Sequence, residues 1–179
     1  MLLRDIPGDG IFIDEPDVVD FAPNSSIPAN FGYWRWPDKA AYMVPPQGHP
    51  NTRRLSPPHA NITAGWENYT AGYQIVNLTM ITRLQTATLF WYSIDFSFQP
   101  SVSDEEVGVT VFLNQVQNIN LGIVILRADV TTNATSNSTL VPHFRFLVSG
   151  RGSEEKNIPR PSVKPVPETW LQNPIRLSI

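Results

Sequence analysis

The residues with the most obvious chemical potential are three adjacent carboxylate pairs: Asp14-Glu15, Glu105-Glu106 and Glu154-Glu155. Two carboxylates flanking a scissile bond are what glycoside hydrolysis needs, one as acid and one as base or nucleophile. Adjacency does not supply that arrangement, because successive side chains of a strand point to opposite faces. All three pairs lie in polar, turn-like stretches, so they are expected to be solvated loop charges. His49, His59 and His143 share no metal-ligand spacing, and neither a metal site nor a cofactor is expected. The chain has no cysteine, which excludes disulfides, zinc–thiolate sites and a cysteine nucleophile. No Gly-x-Ser-x-Gly elbow occurs, and Gly150-Arg151-Gly152-Ser153 is not followed by a helix that could present backbone donors to a phosphate.

Aromatic residues are the second group. Tyr33-Trp34-Arg35-Trp36 places two indoles beside a guanidinium, a combination that can stack on a sugar face and bond its hydroxyls. Packing in the core or between domains is the commoner use of such residues in small β-rich domains. Trp91 falls on the more polar register of its strand and is either exposed or covered by a partner domain. Trp34, Trp36 and Trp91 are thus the candidate carbohydrate-binding residues.

These side chains must be positioned by strands. Seventeen prolines in 179 residues, nearly double the usual share, disfavour a helical bundle. From Phe90 to Phe98 the even positions Phe90, Tyr92, Ile94, Phe96 and Phe98 are large and apolar, while Ser93, Asp95 and Ser97 alternate with them. That is the period of a half-buried strand, with the five even side chains facing inward together. Val107, Val109, Val111 and Leu113 repeat the pattern, and a turn at 115–118 leads to an apolar run over 119–126, which predicts a hairpin. Phe144, Phe146 and Val148 alternate again, as do Ile175, Leu177 and Ile179. Four prolines within 159–167 predict an extended edge segment, and 167–171 predicts one helical turn. Eight to ten short strands separated by turn signals imply an all-β antiparallel sandwich. No fixed-period repeat suggests a complete propeller.

Charge and compartment signals bound the function further. A net charge of −3 speaks against a nucleic-acid binder, and no apolar run is long enough for a membrane-spanning helix. Residues 1–20 carry a local charge of −5 and read as an acidic leader or linker, with the sandwich domain over 21–179. Six Asn-x-Ser/Thr sequons occur, at Asn24, Asn61, Asn68, Asn77, Asn133 and Asn137, where composition alone would give about 1.9. The excess points to a secretory route with these asparagines as glycosylation candidates; the alternative is a strand-rich chain that simply contains many Asn and Thr. Asn133 and Asn137 lie in a polar loop and are the best acceptors. The first residues, Met1-Leu2-Leu3-Arg4-Asp5-Ile6-Pro7-Gly8, do not form a signal peptide. An extracellular location therefore requires that the chain be part of a longer precursor; otherwise it is cytosolic and its sequons are relics.

Several segments resemble the C-terminal part of fungal glycoside hydrolase family 43 enzymes, the β-xylosidase and α-arabinofuranosidase group. They are Asp20-Phe21-Ala22-Pro23-Asn24-Ser25-Ser26-Ile27-Pro28, Trp34-Arg35-Trp36-Pro37-Asp38, Gly48-His49-Pro50-Asn51-Thr52, Asp95-Phe96-Ser97-Phe98-Gln99-Pro100, Glu105-Glu106-Val107-Gly108-Val109-Thr110-Val111-Phe112-Leu113 and Asn120-Leu121-Gly122-Ile123-Val124. The resemblance covers about residues 15–179. It implies a concanavalin A-like jelly-roll sandwich that packs in cis against a catalytic β-propeller, with the three catalytic carboxylates on the propeller and none in this chain. In some members a sandwich loop sends an aromatic ring toward the sugar pocket; the matching loop here, Ser101-Val102-Ser103-Asp104-Glu105-Glu106, has no aromatic, so that role is not carried over. The family domain extends past the point matching Ile179, which implies a sandwich incomplete at its C-terminus and marginally stable alone.

The expected function is a non-catalytic accessory module of a glycoside hydrolase acting on xylan or arabinoxylan, with plant cell-wall polysaccharide as a further partner. The alternatives are a free-standing lectin-like carbohydrate-binding domain and the product of a truncated gene.

Overall fold

The computed structural model describes residues 18–28, 30–34, 38–43, 48–58, 62, 78–128, 139–150 and 157–179. The chain forms two compact units that divide between Phe90 and Trp91. Residues 1–17 of the expected acidic leader at 1–20 lie outside the described residues.

The first unit is built from short extended pieces, as its prolines and turn residues require. Strand β1 (Phe31–Tyr33) pairs antiparallel with β4 (Ile81–Arg83), and β2 (Tyr42–Met43) with β3 (Arg54–Leu55). A 3-10 turn, Lys39–Ala41, is started by Asp38, whose Oδ1 accepts the Ala40 N–H at 3.0 Å. The Tyr42 hydroxyl accepts the Met80 N–H at 3.0 Å, and the Tyr33 ring meets the Tyr42 ring edge-on at 5.0 Å. Ala22-Pro23-Asn24-Ser25 is a tight turn closed by Ser25 N–H to Ala22 C=O at 2.9 Å. Proline sets the second position and Asn24 takes the left-handed third, φ 64°, the type II combination.

The second unit holds two antiparallel layers. Strands β6 (Glu106–Asn114), β7 (Gln117–Arg127), β8 (Leu140–Ser149) and β9 (Ser162–Pro165) form one sheet in chain order. Strands β5 (Ser93–Phe96) and β10 (Ile175–Ser178) form a two-stranded ladder. Val109 and Ile123 from the large sheet pack with Val166, Ile175 and Leu177, and Tyr92, Ile94, Phe96, Phe98, Leu121, Phe144 and Ile179 close around them. Each fully buried aliphatic side chain contributes about 1.5–3 kcal/mol, so this shared cluster is what holds the layers together. The chain is thus all-β and sandwich-like, and the 3-10 turns at Lys39–Ala41 and Glu168–Trp170 are its helical elements with described bounds.

The alternation read over 90–98 is present from Tyr92 onward: Tyr92, Ile94, Phe96 and Phe98 face the core. Phe90 does not, being 45% exposed. The β5–β10 ladder ends with the mutual bonds of Tyr92 and Ile179, N–H to C=O at 3.0 and 2.9 Å, so the pairing that imposes the alternation stops before Phe90. The hairpin turn is tighter than the sequence suggested. Gln115-Val116 alone connect β6 to β7, because the Asn114 Oδ1 accepts the Val116 N–H at 2.9 Å and folds the chain back at once. β9, which ends on Pro165, is an edge of the large sheet.

Candidate functional site

Glu106 is not the solvated loop charge expected of it, whereas Glu105 lies in the exposed loop before β6. Asp104 adopts φ 70°, its N–H reaches the Ile125 C=O at 2.8 Å, and Ile125 N–H bonds the Glu105 C=O at 3.0 Å. Two residues thus oppose one, a β-bulge that turns the chain into β6. The Glu105 carboxylate accepts the Ser101 N–H at 2.6 Å and the Val102 N–H at 3.2 Å, closing the loop before it. Glu106 instead lies on the sheet face away from the core and takes both Nε and a terminal nitrogen of Arg145, on β8. The pair is about two-thirds buried. The Glu106 carboxylate is committed to Arg145, and that of Glu105 to the loop it closes.

The same face also carries the fully buried Val124, beside a group of polar side chains. Asn118 is buried and donates to the Asn114 and Gln115 carbonyls at 3.1 and 3.3 Å, and Asn120 donates to the Asn118 Oδ1 at 2.7 Å. His143 is 3% exposed, with Nδ1 2.8 Å from the Val141 carbonyl, so Nδ1 carries the proton. This is a buried histidine with its Nδ1 proton satisfied. Among the described residues no cluster of three or more His, Asp or Glu could hold a metal ion.

The outer face of β5–β10 is different in kind. The register places Asp95 opposite Arg176 and Ser93 opposite Ser178. Trp91 continues the outward row one step beyond the Tyr92–Ile179 pair and is 81% exposed. Asp95 and Arg176 make a two-bond pair at 2.7 and 2.5 Å in open solvent. The Arg176 hydrogen bonds hold the Asp95 carboxyl below its usual range, and Asp95 in turn raises the guanidinium. The result is a narrow, solvent-facing strip with one bare indole at its end and no net charge.

Of the other sequence candidates, Trp34 is partly buried in the bend after β1, and Trp36 lies outside the described residues. Asn24 is the one described sequon asparagine, exposed on its turn; Asn61, Asn68, Asn77, Asn133 and Asn137 lie outside, as do Asp14-Glu15, Glu154-Glu155, His59 and residues 151–153. His49 is exposed, and its carbonyl accepts the Thr52 hydroxyl at 2.7 Å. Sequence reasoning missed Arg145 and Arg176. Their outward register was visible in the alternation, but their partners are fixed by strand pairing over 39 and 81 residues of chain.

Comparison with known proteins adds no relative: no family model, curated protein or solved structure matches this chain.

Proposed function

We propose that the chain is a non-catalytic accessory module of a glycoside hydrolase acting on xylan or arabinoxylan, supporting an active site built on a β-propeller elsewhere. The reading rests on the likeness of its sequence to the sandwich region of family 43 enzymes. The observation that carries it is the disposition of Glu105 and Glu106. Both carboxylates are engaged by fixed protein partners, one by backbone N–H groups and one by Arg145, on a sandwich-like scaffold. An acid held this way is an acceptor committed to a strand or loop rather than a proton donor to a leaving group.

The test is hydrolysis of nitrophenyl xyloside and nitrophenyl arabinofuranoside by the purified chain. The expected result is no turnover above buffer. Turnover that copurifies with the chain and is lost in Glu105→Gln or Glu106→Gln would overturn the reading.

A further inference from the structure

The outer strip of β5 and β10 has a composition that core packing does not explain. Trp91 is 81% exposed although every other ring on the alternating run from Tyr92 to Phe98 is turned inward. Behind it, two strands deep, stand the Ser93 and Ser178 hydroxyls, which have no protein partner among the described residues. Next come Asp95 and Arg176, locked together by two hydrogen bonds. A carboxylate offers about four lone-pair sites and a guanidinium five N–H donors. The pair uses two of each on itself and leaves acceptors and donors side by side, facing water.

From these groups we propose that the outer face of β5–β10 is a platform for a neutral polysaccharide chain, with Trp91 stacking on one sugar ring and Ser93, Ser178 and the Asp95–Arg176 pair bonding the hydroxyls of the next. Size argues against a protein partner. Four residue steps at about 3.3 Å and two strands about 4.8 Å apart give a strip on the order of 150 Å². A standard protein interface takes about 800 Å² from each partner. Charge argues against an anionic ligand, because Arg176 is neutralised by Asp95. An exposed aromatic face beside paired donors and acceptors suits a ligand with apolar C–H faces and equatorial hydroxyls. The choice of xylan-type ligand rests on the accessory-module reading; the platform itself rests on the geometry.

The experiment is affinity electrophoresis of the full chain through gels holding arabinoxylan or, as the anionic control, polygalacturonate, at low and high salt. Wild type should be retarded by arabinoxylan, equally at both salt levels, and not by polygalacturonate. Trp91→Ala and Trp91→Leu should both weaken retardation by about tenfold, the scale of one lost ring contact, while Trp91→Phe keeps most of it. The leucine variant preserves apolar bulk without a stacking ring, so parallel loss in both variants with an unchanged melting temperature assigns the effect to stacking. Absence of retardation by arabinoxylan, retardation indifferent to Trp91, or a preference for polygalacturonate would each overturn the platform. Binding indifferent to Trp91 would leave the accessory-module reading intact, whereas hydrolysis by the chain would overturn that reading and leave the platform standing.

Discussion

Glu106 reaches across the full width of β7 to Arg145, and the two side chains meet above the bare Cα of Gly122. A Cβ on Gly122 would stand 2.9 Å from the Glu106 Oε1 and 2.9 Å from the Val107 carbonyl, so the ion pair and any larger residue compete for one space. Gly108, directly opposite, is tighter still, at 2.3 Å from the Leu121 carbonyl. The glycines let β6 and β7 lie close while one salt bridge ties β6 to β8. A partly exposed pair of this kind is worth about 1–2 kcal/mol, between the surface and the buried limits. Arg145→Met and Glu106→Gln should each destabilise by that amount, with a double-mutant coupling near 1 kcal/mol in urea unfolding. Additive losses would show that the two side chains do not support one another.

Gly122→Ala should cost about 1–3 kcal/mol, the usual range for forcing a methyl into a filled site. Thermal unfolding of the variant measures it directly. An unchanged melting temperature would mean that the face over β7 is looser than the Glu106 contact requires.

Leu177 is 4% exposed and joins the β10 side of the core cluster to Val109 and Ile123. Leu177→Ala removes that contact and leaves a cavity, for a loss of about 2–5 kcal/mol. Urea titration should show the midpoint fall with little change in slope. Arg176→Ala on the same strand, facing water, should leave the midpoint almost unchanged.

The Asp95 carboxyl is held below its ordinary value of 3.8 by the Arg176 hydrogen bonds. A carboxyl whose folded pKa is lowered adds its stabilisation above the unfolded pKa and loses it as pH falls through the folded one. Protonating Asp95 also breaks its pair with Arg176, so arabinoxylan retention on the outer strip should be level from neutral pH down through 3.8 and decline only as pH falls through the lowered folded value. Asp95→Asn should remove that acid limb. A midpoint near neutrality would implicate a different group.

Burial raises the Tyr92 hydroxyl above its ordinary 10.0. The neutral phenol is favoured in the folded chain, so its contribution is complete below pH 10.0 and is lost as pH rises through the folded value. Stability followed by urea unfolding should fall in that alkaline window, and Tyr92→Phe should flatten the decline. An equal decline in the phenylalanine variant would place the alkaline weakness elsewhere.

Strand identity was largely legible because period-two alternation is a local property. Val109, Phe144, Phe146, Ile175 and Leu177 announce their faces within a few residues, and the prolines at 159–167 announce an edge. What was not legible depends on pairing. Phe90 continues the alternation in sequence yet lies beyond the last ladder bond, so it remains exposed. Glu106 looked like one of two loop charges because its partner sits on a strand 39 residues later. The strip at Trp91 was half visible: the indole's register could be read, but not that Asp95 and Arg176 would stand beside it.

Pentose release from arabinoxylan by a fungal family 43 propeller, measured with and without this chain fused behind it, tests the proposed role most directly. The fusion should turn over polymer faster than the propeller alone, with the chain by itself inactive and Glu105→Gln and Glu106→Gln fusions retaining the catalytic gain. A fusion no faster than the bare propeller, or release by the isolated chain, would contradict it.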